Sequence, residues 1–381
     1  MRFAAGETVR ARYLVGAGPI GLAAAATLAG RGVDVAVVDR QAEGANTSRA
    51  AVVHARTLEV LDTIGAAAPL VAQGIHAARF TIRDRDRTLV PVRFDELPTP
   101  YPYALMVSQA VTESVLLDRL AALGGRVLRP YRVVGIDGND VRFAAGETVR
   151  ARYVVGADGM HSTVRELADI GFGGDDAGES FTLADVRIDS PLPRDEVILF
   201  FSQTGILVWA PLPDGSVRLV APVDEAPERP SVEFLQSLLD ARGSASSRGT
   251  VTEVIWGSRF RIHHRVADTF RSGPVLLAGD AAHVHSPAGG QGMNLGLQDA
   301  VALGNALTEV IGGAPESVLD AYAAARRPVA HEVVRFARQL TRLATVPAPV
   351  RPLRNAALVA LSRVPAFRRR LAWQLSGLVY R

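Results

Sequence analysis

The sequence predicts an α/β protein: a doubly wound parallel sheet, interrupted by an antiparallel sheet and followed by a helical tail. Three observations predict it. Residues 13–39 read as strand, glycine turn, helix and strand. Residues 182–223 alternate apolar and polar, with a turn signal at Pro213-Asp214-Gly215, as antiparallel strands do. From Tyr322 to Tyr380 the pattern is mostly helical, broken at Pro347 to Pro352 and at Pro365.

Taken in order, Tyr13, Leu14 and Val15 form a first apolar strand. Gly16 to Gly21 is the turn, Leu22 to Leu28 a dense helix former, and Val33 to Asp39 a second buried strand. A helix follows around Thr57 to Ile64. Arg79 to Val92 alternates like exposed strands about the charged turn Arg83-Asp84-Arg85-Asp86-Arg87. Another helix runs from Gln109 to Leu123, and short strands lead to Val154-Val155-Gly156. After the antiparallel segment come a helix, Ser231 to Arg242, and a Gly/Ser-rich stretch, residues 243–249. Pro274 to Ala278 is a strand, and a long helix begins near Gly292.

Composition narrows the function. The chain has 381 residues, 48% of them apolar, with 35 glycines and 22 prolines: globular, turn-rich, and long enough for two or three packed units. The absence of cysteine excludes disulfides, thiolate metal sites and cysteine nucleophiles. All 42 basic residues are arginine, which excludes a lysine Schiff base or lysine general base. The N-terminal residues show no signal-peptide pattern, and the longest apolar runs, such as Leu22 to Ala29, are too short to span a membrane; the expectation is a cytoplasmic protein. Net charge is +3, with a local excess: from Arg326 onward twelve arginines face one acid, Glu332. Such a run fits a solvated helical face better than a nucleic-acid or anionic-membrane surface.

Residues 2–16, RFAAGETVRARYLVG, nearly repeat residues 142–156, RFAAGETVRARYVVG, and differ only at Leu14 versus Val154. Two distant copies are not a solenoid. The first copy places Arg10 and Arg12 at the entry to a strand that should be buried, so residues 1–9 are expected to pack poorly.

Three motifs carry the chemistry. In Gly16-Ala17-Gly18-Pro19-Ile20-Gly21 the glycines allow a sharp turn, close approach of backbone to a pyrophosphate, and tight helix–strand packing. Asp39 ends the next strand, where a carboxylate accepts from ribose hydroxyls. This pattern indicates a dinucleotide without separating FAD from NAD. The second motif is Gly156-Ala157-Asp158-Gly159, followed by Ser162 as a candidate helix cap. The third is Ala278-Gly279-Asp280-Ala281-Ala282-His283, followed by Gly289-Gly290-Gln291-Gly292-Met293-Asn294. There a strand ends at a carboxylate, and a Gly-rich turn opens a helix whose dipole can face an electron-rich ring.

The three motifs in this order resemble those of the class A FAD-dependent aromatic monooxygenases, the para-hydroxybenzoate-hydroxylase-like family, close to the polyketide-tailoring aromatic hydroxylases. The resemblance spans residues 13 to about 330. It implies a Rossmann-like FAD-binding domain in three parts (1–75, 99–175 and 261–330), an inserted antiparallel β-sheet substrate domain in two (76–98 and 176–260), and a C-terminal helical tail (331–381). It implies that Asp280 binds the ribityl chain and that Asp158 and Gly159 serve FAD and the nicotinamide nucleotide. Arg40 follows the ribose-binding acid, Arg49 matches an FAD-phosphate arginine, Gln109 a flavin-contacting glutamine, and Val133 an adenine contact. Gly290, Gly292, Met293 and Asn294 would offer the turn and amides to the flavin pyrimidine edge. Pro287 is the candidate for the turn near the flavin C4a side, and no side chain stands out as a general base.

The implied reaction uses NADH or NADPH and O2. It hydroxylates an apolar aromatic or polyketide-type molecule through a flavin C4a-hydroperoxide. Phe200, Trp209 and Pro211 are expected to line the substrate pocket, with apolar core as the alternative. His54, Tyr101 and Tyr103 are weaker candidates for a substrate phenol. His263, His264, His283 and His285 do not complete a zinc-like set, so no metal is expected. Two departures stand out: the family's larger members carry a thioredoxin-like C-terminal domain for which this chain is too short, and the halogenase tryptophan signature is missing. Two other readings remain: an FAD-dependent oxidoreductase or cyclase without oxygen insertion, and an inactive FAD-scaffold binding protein.

Overall fold

Strand β1 (Arg12–Val15) enters the glycine turn, continues into α1 (Pro19–Ala29) and returns as β2 (Val35–Val38), the βαβ unit expected from the sequence. The computed structural model describes residues 12–44 and 50–381. The chain continues through β3 (Val52–Val53), α2 (Ala55–Asp62), α3 (Ala67–Val71), β4 (Ile75–Ala77), β5 (Arg79–Asp84), β6 (Arg87–Arg93), β7 (Ala104–Met106), α4 (Gln109–Ala122) and β8 (Arg126–Leu128). A meander of β9 (Val133–Asp137), β10 (Asp140–Phe143) and β11 (Thr148–Arg150) leads to β12 (Val154–Gly156) and α5 (Thr163–Leu167). Then come β13 (Phe172–Asp189), β14 (Glu196–Ser202), β15 (Gly205–Pro211), β16 (Val217–Val223), α6 (Val232–Arg242) and β17 (Thr250–Ala267). Beyond them lie β18 (Arg271–Ser272), β19 (Val275–Leu277), β20 (His283–Val284), α7 (Gly292–Ile311), α8 (Ser317–Ala344), α9 (Arg351–Ser362) and α10 (Pro365–Leu375).

One sheet has the order β18-β19-β12-β1-β2-β8 and is parallel apart from the β18–β19 pair. Its strands β2, β12 and β19 are short apolar runs, as a sheet covered on both faces requires. Helix α1 packs on α7 where Gly304 leaves room: a Cβ there would lie 2.7 Å from Thr27 Cβ. Strand β1 lies beside β12, so the repeated segment neighbours its own copy, with Tyr13 paired to Val154 rather than to Tyr153. The expectation for residues 1–9 lies outside the described residues.

The second sheet, β20-β17-β13-β16-β15-β14-β5-β6, is antiparallel except between β14 and β5. Strands β13 and β17 run 18 residues each, longer than the sequence pattern indicated. One face of this sheet is buried under α6. Phe200 and Trp209, both 0% exposed, belong to that core with Leu235, Leu238 and Leu239. Pro211 pairs with Val217 of the same core and shares the face of Trp209. Of the two readings held open for these residues, pocket lining and apolar core, their burial favours the core: large aromatic side chains fill the covered face, where burial stabilises most. The opposite face carries Val197, Ala210 and Leu212, packed against Ala51, Ala77 and Met106 around the small sheet β3-β7-β4.

Helix starts follow local chemistry. Ser108, Ser162 and Ser231 accept from the backbone N–H of Val111, Arg165 and Phe234, capping α4, α5 and α6. In the tail, α8 continues through Pro328 without ending, and α9 and α10 begin at the proline breaks. No helix among the described residues is long and apolar enough to cross a membrane.

Candidate functional site

Strands β19, β12 and β1 are adjacent and parallel, so the loops that follow them emerge at one sheet edge. Those loops hold the three sequence motifs, and at such an edge α/β sheets bind ligands. The loops are locked together. Gly16 has φ +103°, and a Cβ on it would lie 2.4 Å from Ala157 O. Gly279 has φ +64°, and a Cβ on it would lie 2.7 Å from Ile20 Cγ1. Only glycine tolerates both the conformation and the contact. Arg165, 5% exposed, donates through Nη1 to Ala281 O and through Nη2 to Met160 O, each at 3.0 Å. Its guanidinium lies 3.9 Å over the Phe172 ring, which ties the second and third motifs to the start of β13.

What the packing leaves open is equally specific. A Cβ on Gly18 would meet nothing within 4 Å. Gly18 is the N-cap of α1, Pro19 its first residue, and no side chain caps or charges that first turn. An uncapped helix N-terminus facing open space is an anion cradle. Beside it Asp39 accepts from Ala17 N (2.8 Å) and Gln41 N (2.9 Å), with Arg129 Nη2 at 4.0 Å from its Oδ2. Arg40 is exposed next to it. Gln109 donates to Glu113 Oε1 (2.8 Å), and its Oε1 lies 3.4 Å from Ala50 N. Burial pushes the Glu113 carboxyl up. Val133 is buried where β9 begins. Arg49 lies outside the described residues.

In the second motif Asp158 accepts from Ser162 Oγ (2.5 Å) and Val164 N (3.2 Å). Burial pushes its carboxyl up despite these bonds. Gly159, with φ +84°, turns the chain beside it. In the third, Asp280 and Pro287 are exposed, and Gly290 N donates to Pro287 O (2.9 Å) to close the turn. Asn294 accepts from His54 N (2.7 Å) and donates to Val52 O (3.0 Å) and Gly290 O (2.7 Å). His54 Nε2 donates to Gly289 O (2.8 Å), and its Nδ1 is buried without a partner. Burial pulls the His54 pKa down to about 4, so the ring is neutral. Helix α7 then opens at Gly292 and Met293 without a side-chain cap.

His283, Tyr101 and Tyr103 make side-chain contacts of their own. His283 meets Asp299 Oδ2 at 2.6 Å, and Arg326 Nε donates to Asp299 Oδ1 at 2.5 Å. Burial would raise the Asp299 carboxyl, but these two partners hold it below the usual range. Tyr103 stacks on His76 with centroids 4.1 Å apart, and Tyr101 meets Tyr103 edge-on at 6.4 Å. On the sheet face opposite α6, Arg218 pairs with Asp185 by two bonds of 2.7 and 2.8 Å and is 2% exposed. Its strand neighbour is Ala210.

The family model described as "FAD binding domain" matches residues 10–337. The chain belongs to the FAD-dependent aromatic monooxygenases. It is 40% identical to 6-methylpretetramide 4-monooxygenase of Streptomyces rimosus, over 93% of this chain and 65% of that protein. It is 38% identical to rifampicin monooxygenase of Streptomyces venezuelae, over 88% of this chain and 72% of that one. The crystal structure of p-nitrophenol 4-monooxygenase from Pseudomonas putida superposes with a TM-score of 0.87, covering 98% of both chains at 26% identity. The chain thus spans about two thirds of its first curated relative and nearly all of that solved structure.

The donor set of this monooxygenase fits FAD. Two uncapped helix N-termini, an acid at the end of β2 and an exposed acid after β19 are the groups that a pyrophosphate, a ribose, a ribityl chain and a flavin ring require. Sequence reasoning did not foresee the roles of Arg165, of the His54–Asn294 bond or of the Arg218–Asp185 pair. Arg165 was visible three residues after a candidate cap. The other two join residues far apart in sequence, and no local pattern marks them.

Proposed function

We propose that this FAD-dependent monooxygenase hydroxylates an apolar aromatic or polyketide-type small molecule, with NADH or NADPH as electron donor and O2 as co-substrate. The observation that carries the reading is the open space at Gly18 beside loops otherwise locked by glycine contacts. A glycine that no protein atom requires is the mark of a close-approaching ligand. The relatives named for 6-methylpretetramide and rifampicin support a bulky organic substrate.

In this reading Gly16, Gly18, Pro19, Ile20 and Gly21 form the pyrophosphate cradle. Asp39 and Arg40 take the adenosine ribose, and Val133 the adenine. Arg49 and Gln109 reach the phosphate and flavin, while Asp158 and Gly159 serve the second-motif loop. Asp280 holds the ribityl chain. Pro287, Gly290, Gly292, Met293 and Asn294 border the ring. Asn294 does so by its amide, since its side chain is committed to His54 and Val52. When bound, FAD supplies the activation of dioxygen. The protein orients the ring and excludes water. Neutral His54 holds the Gly289 carbonyl in place by one donated hydrogen bond. The substrate wall is the face carrying Val197, Ala210 and Leu212, rather than Phe200, Trp209 and Pro211. The three-part flavin unit, two-part substrate unit and tail with the boundaries given above belong to the same proposal, as does a cytoplasmic setting.

The test is direct. Purified protein reconstituted with FAD should oxidise NADPH or NADH faster when an aromatic from a phenol and polyketide panel is added, with little H2O2. A yellow protein whose NAD(P)H oxidation no aromatic stimulates contradicts the proposal.

A further inference from the structure

Helix α9 leaves an apolar stripe exposed. Its outward face carries Leu353, Ala356, Ala357, Ala360 and Leu361, and continues to Val364; Leu353 is 71%, Leu361 46% and Val364 48% exposed. These positions follow i, i+3, i+4, i+7, i+8 and i+11, one face of a helix. The inward face carries Leu358, packed in a core cluster, beside Arg354 and Asn355, all three 5% exposed. Arg354 donates to Phe201 O (3.0 Å) and Ala344 O (3.2 Å), and its guanidinium lies 4.7 Å over the Phe201 ring. Asn355 donates to Asp84 Oδ2 (2.8 Å). A surface helix ordinarily buries its apolar stripe and exposes its charges. Here core packing of Leu358 and the polar bonds together fix the inward face, and they leave a second apolar stripe outward.

The surroundings of the stripe select its partner. Arg363 is exposed just after α9, and Arg369 and Arg370 are exposed within α10. No acidic residue follows Glu332 in the sequence. Pairing the face with a second copy of itself would bring these arginines together, at an electrostatic cost. We propose that the outward face of α9, with the arginines at its C-terminal end, docks the protein on an anionic lipid surface: the leucines and valine enter the acyl boundary and the arginines meet the phosphates. The contact is peripheral, since no described helix is long and apolar enough to cross a bilayer.

Flotation of the full chain with vesicles tests this. The protein should float with phosphatidylglycerol–phosphatidylcholine vesicles at least about tenfold more than with phosphatidylcholine alone, and about 0.5 M salt should release much of it. The double variant Leu353→Ser/Leu361→Ser and the triple variant Arg363→Gln/Arg369→Gln/Arg370→Gln should each lower binding by about tenfold or more, at unchanged melting temperature and flavin content. Absence of the parent from the floated fraction overturns the proposal. So does a leucine variant that floats like the parent. Sedimentation velocity is run in parallel. A dimer that the leucine variant dissolves, without vesicle binding, assigns the face to self-association and equally overturns it.

Discussion

Ile20 fills the place that a side chain at Gly279 would need. A Cβ on Gly279 would lie 2.7 Å from Ile20 Cγ1, and one on Gly296 would lie 2.6 Å from Ile20 Cδ1. One isoleucine of the first motif thus sits between the third motif and α7. Gly279→Ala should cost about 1–3 kcal/mol of stability, from overpacking and the positive φ together. Gly18→Ala should behave differently. Gly18 has φ −75° and ψ −179°, open to alanine, and no neighbour within 4 Å of its Cβ. Its stability should change by less than about 0.5 kcal/mol, while FAD affinity falls by about tenfold or more. Urea denaturation of the apoprotein and fluorescence titration with FAD separate the two effects.

Arg165 bonds two carbonyls in two different loops, so its loss leaves both short of a donor in a buried place. Arg165→Met should destabilise the protein by about 2–4 kcal/mol. Arg165→Lys should recover only part of that, because an ammonium lacks the planar fork. Thermal release of bound flavin should follow the same order, with the parent highest and Met lowest.

The two faces of the second sheet should separate in mutagenesis. Trp209→Ala should cost about 3–5 kcal/mol, as the truncation of a fully buried aromatic does, with KM nearly unchanged. Val208→Phe, on the other face, should shift KM for the aromatic substrate several-fold at a smaller loss of stability. Chemical denaturation and steady-state kinetics on both variants check the assignment. Equal KM changes in the two would contradict it.

These faces also mark where the sequence stopped being readable. Glycine turns and serine caps depend on a few neighbouring residues, and the βαβ unit, α4, α6 and the start of α7 were legible for that reason. Alternation in a strand reveals two faces without saying which one meets the flavin unit. Phe200 and Trp209 look like pocket residues until α6 is seen above them. Helix α9 poses the same problem in a stronger form: its apolar residues are visible in the sequence, yet core packing of Leu358 and three-dimensional bonds to Phe201 O and Asp84 decide which of them point outward. Asp299, buried between His283 and Arg326, is likewise set by residues from two helices and a strand.

Acid should weaken the fold in a defined window. Burial pulls both His54 and His285 down to about 4 from the usual 6.5. Between those values the unfolded chain binds more protons than the folded one, so stability rises with pH there. The contribution is complete above about pH 6.5 and is lost as pH falls toward 4, at up to about 3 kcal/mol for each histidine. Replacing His54 with Asn should flatten the stability–pH slope in this interval. Urea melts at a series of pH values measure it.

The central claim is tested most directly by supplying the FAD-loaded protein with NADPH or NADH, an aromatic substrate that stimulates their oxidation, and isotopically labelled dioxygen. The account predicts one labelled oxygen atom in the recovered aromatic product by mass spectrometry. It also predicts loss of that product in Gly18→Ala at sub-saturating FAD and its return when FAD is raised. A product that carries no label, or a substrate returned unchanged by fully flavinated protein, would contradict the account.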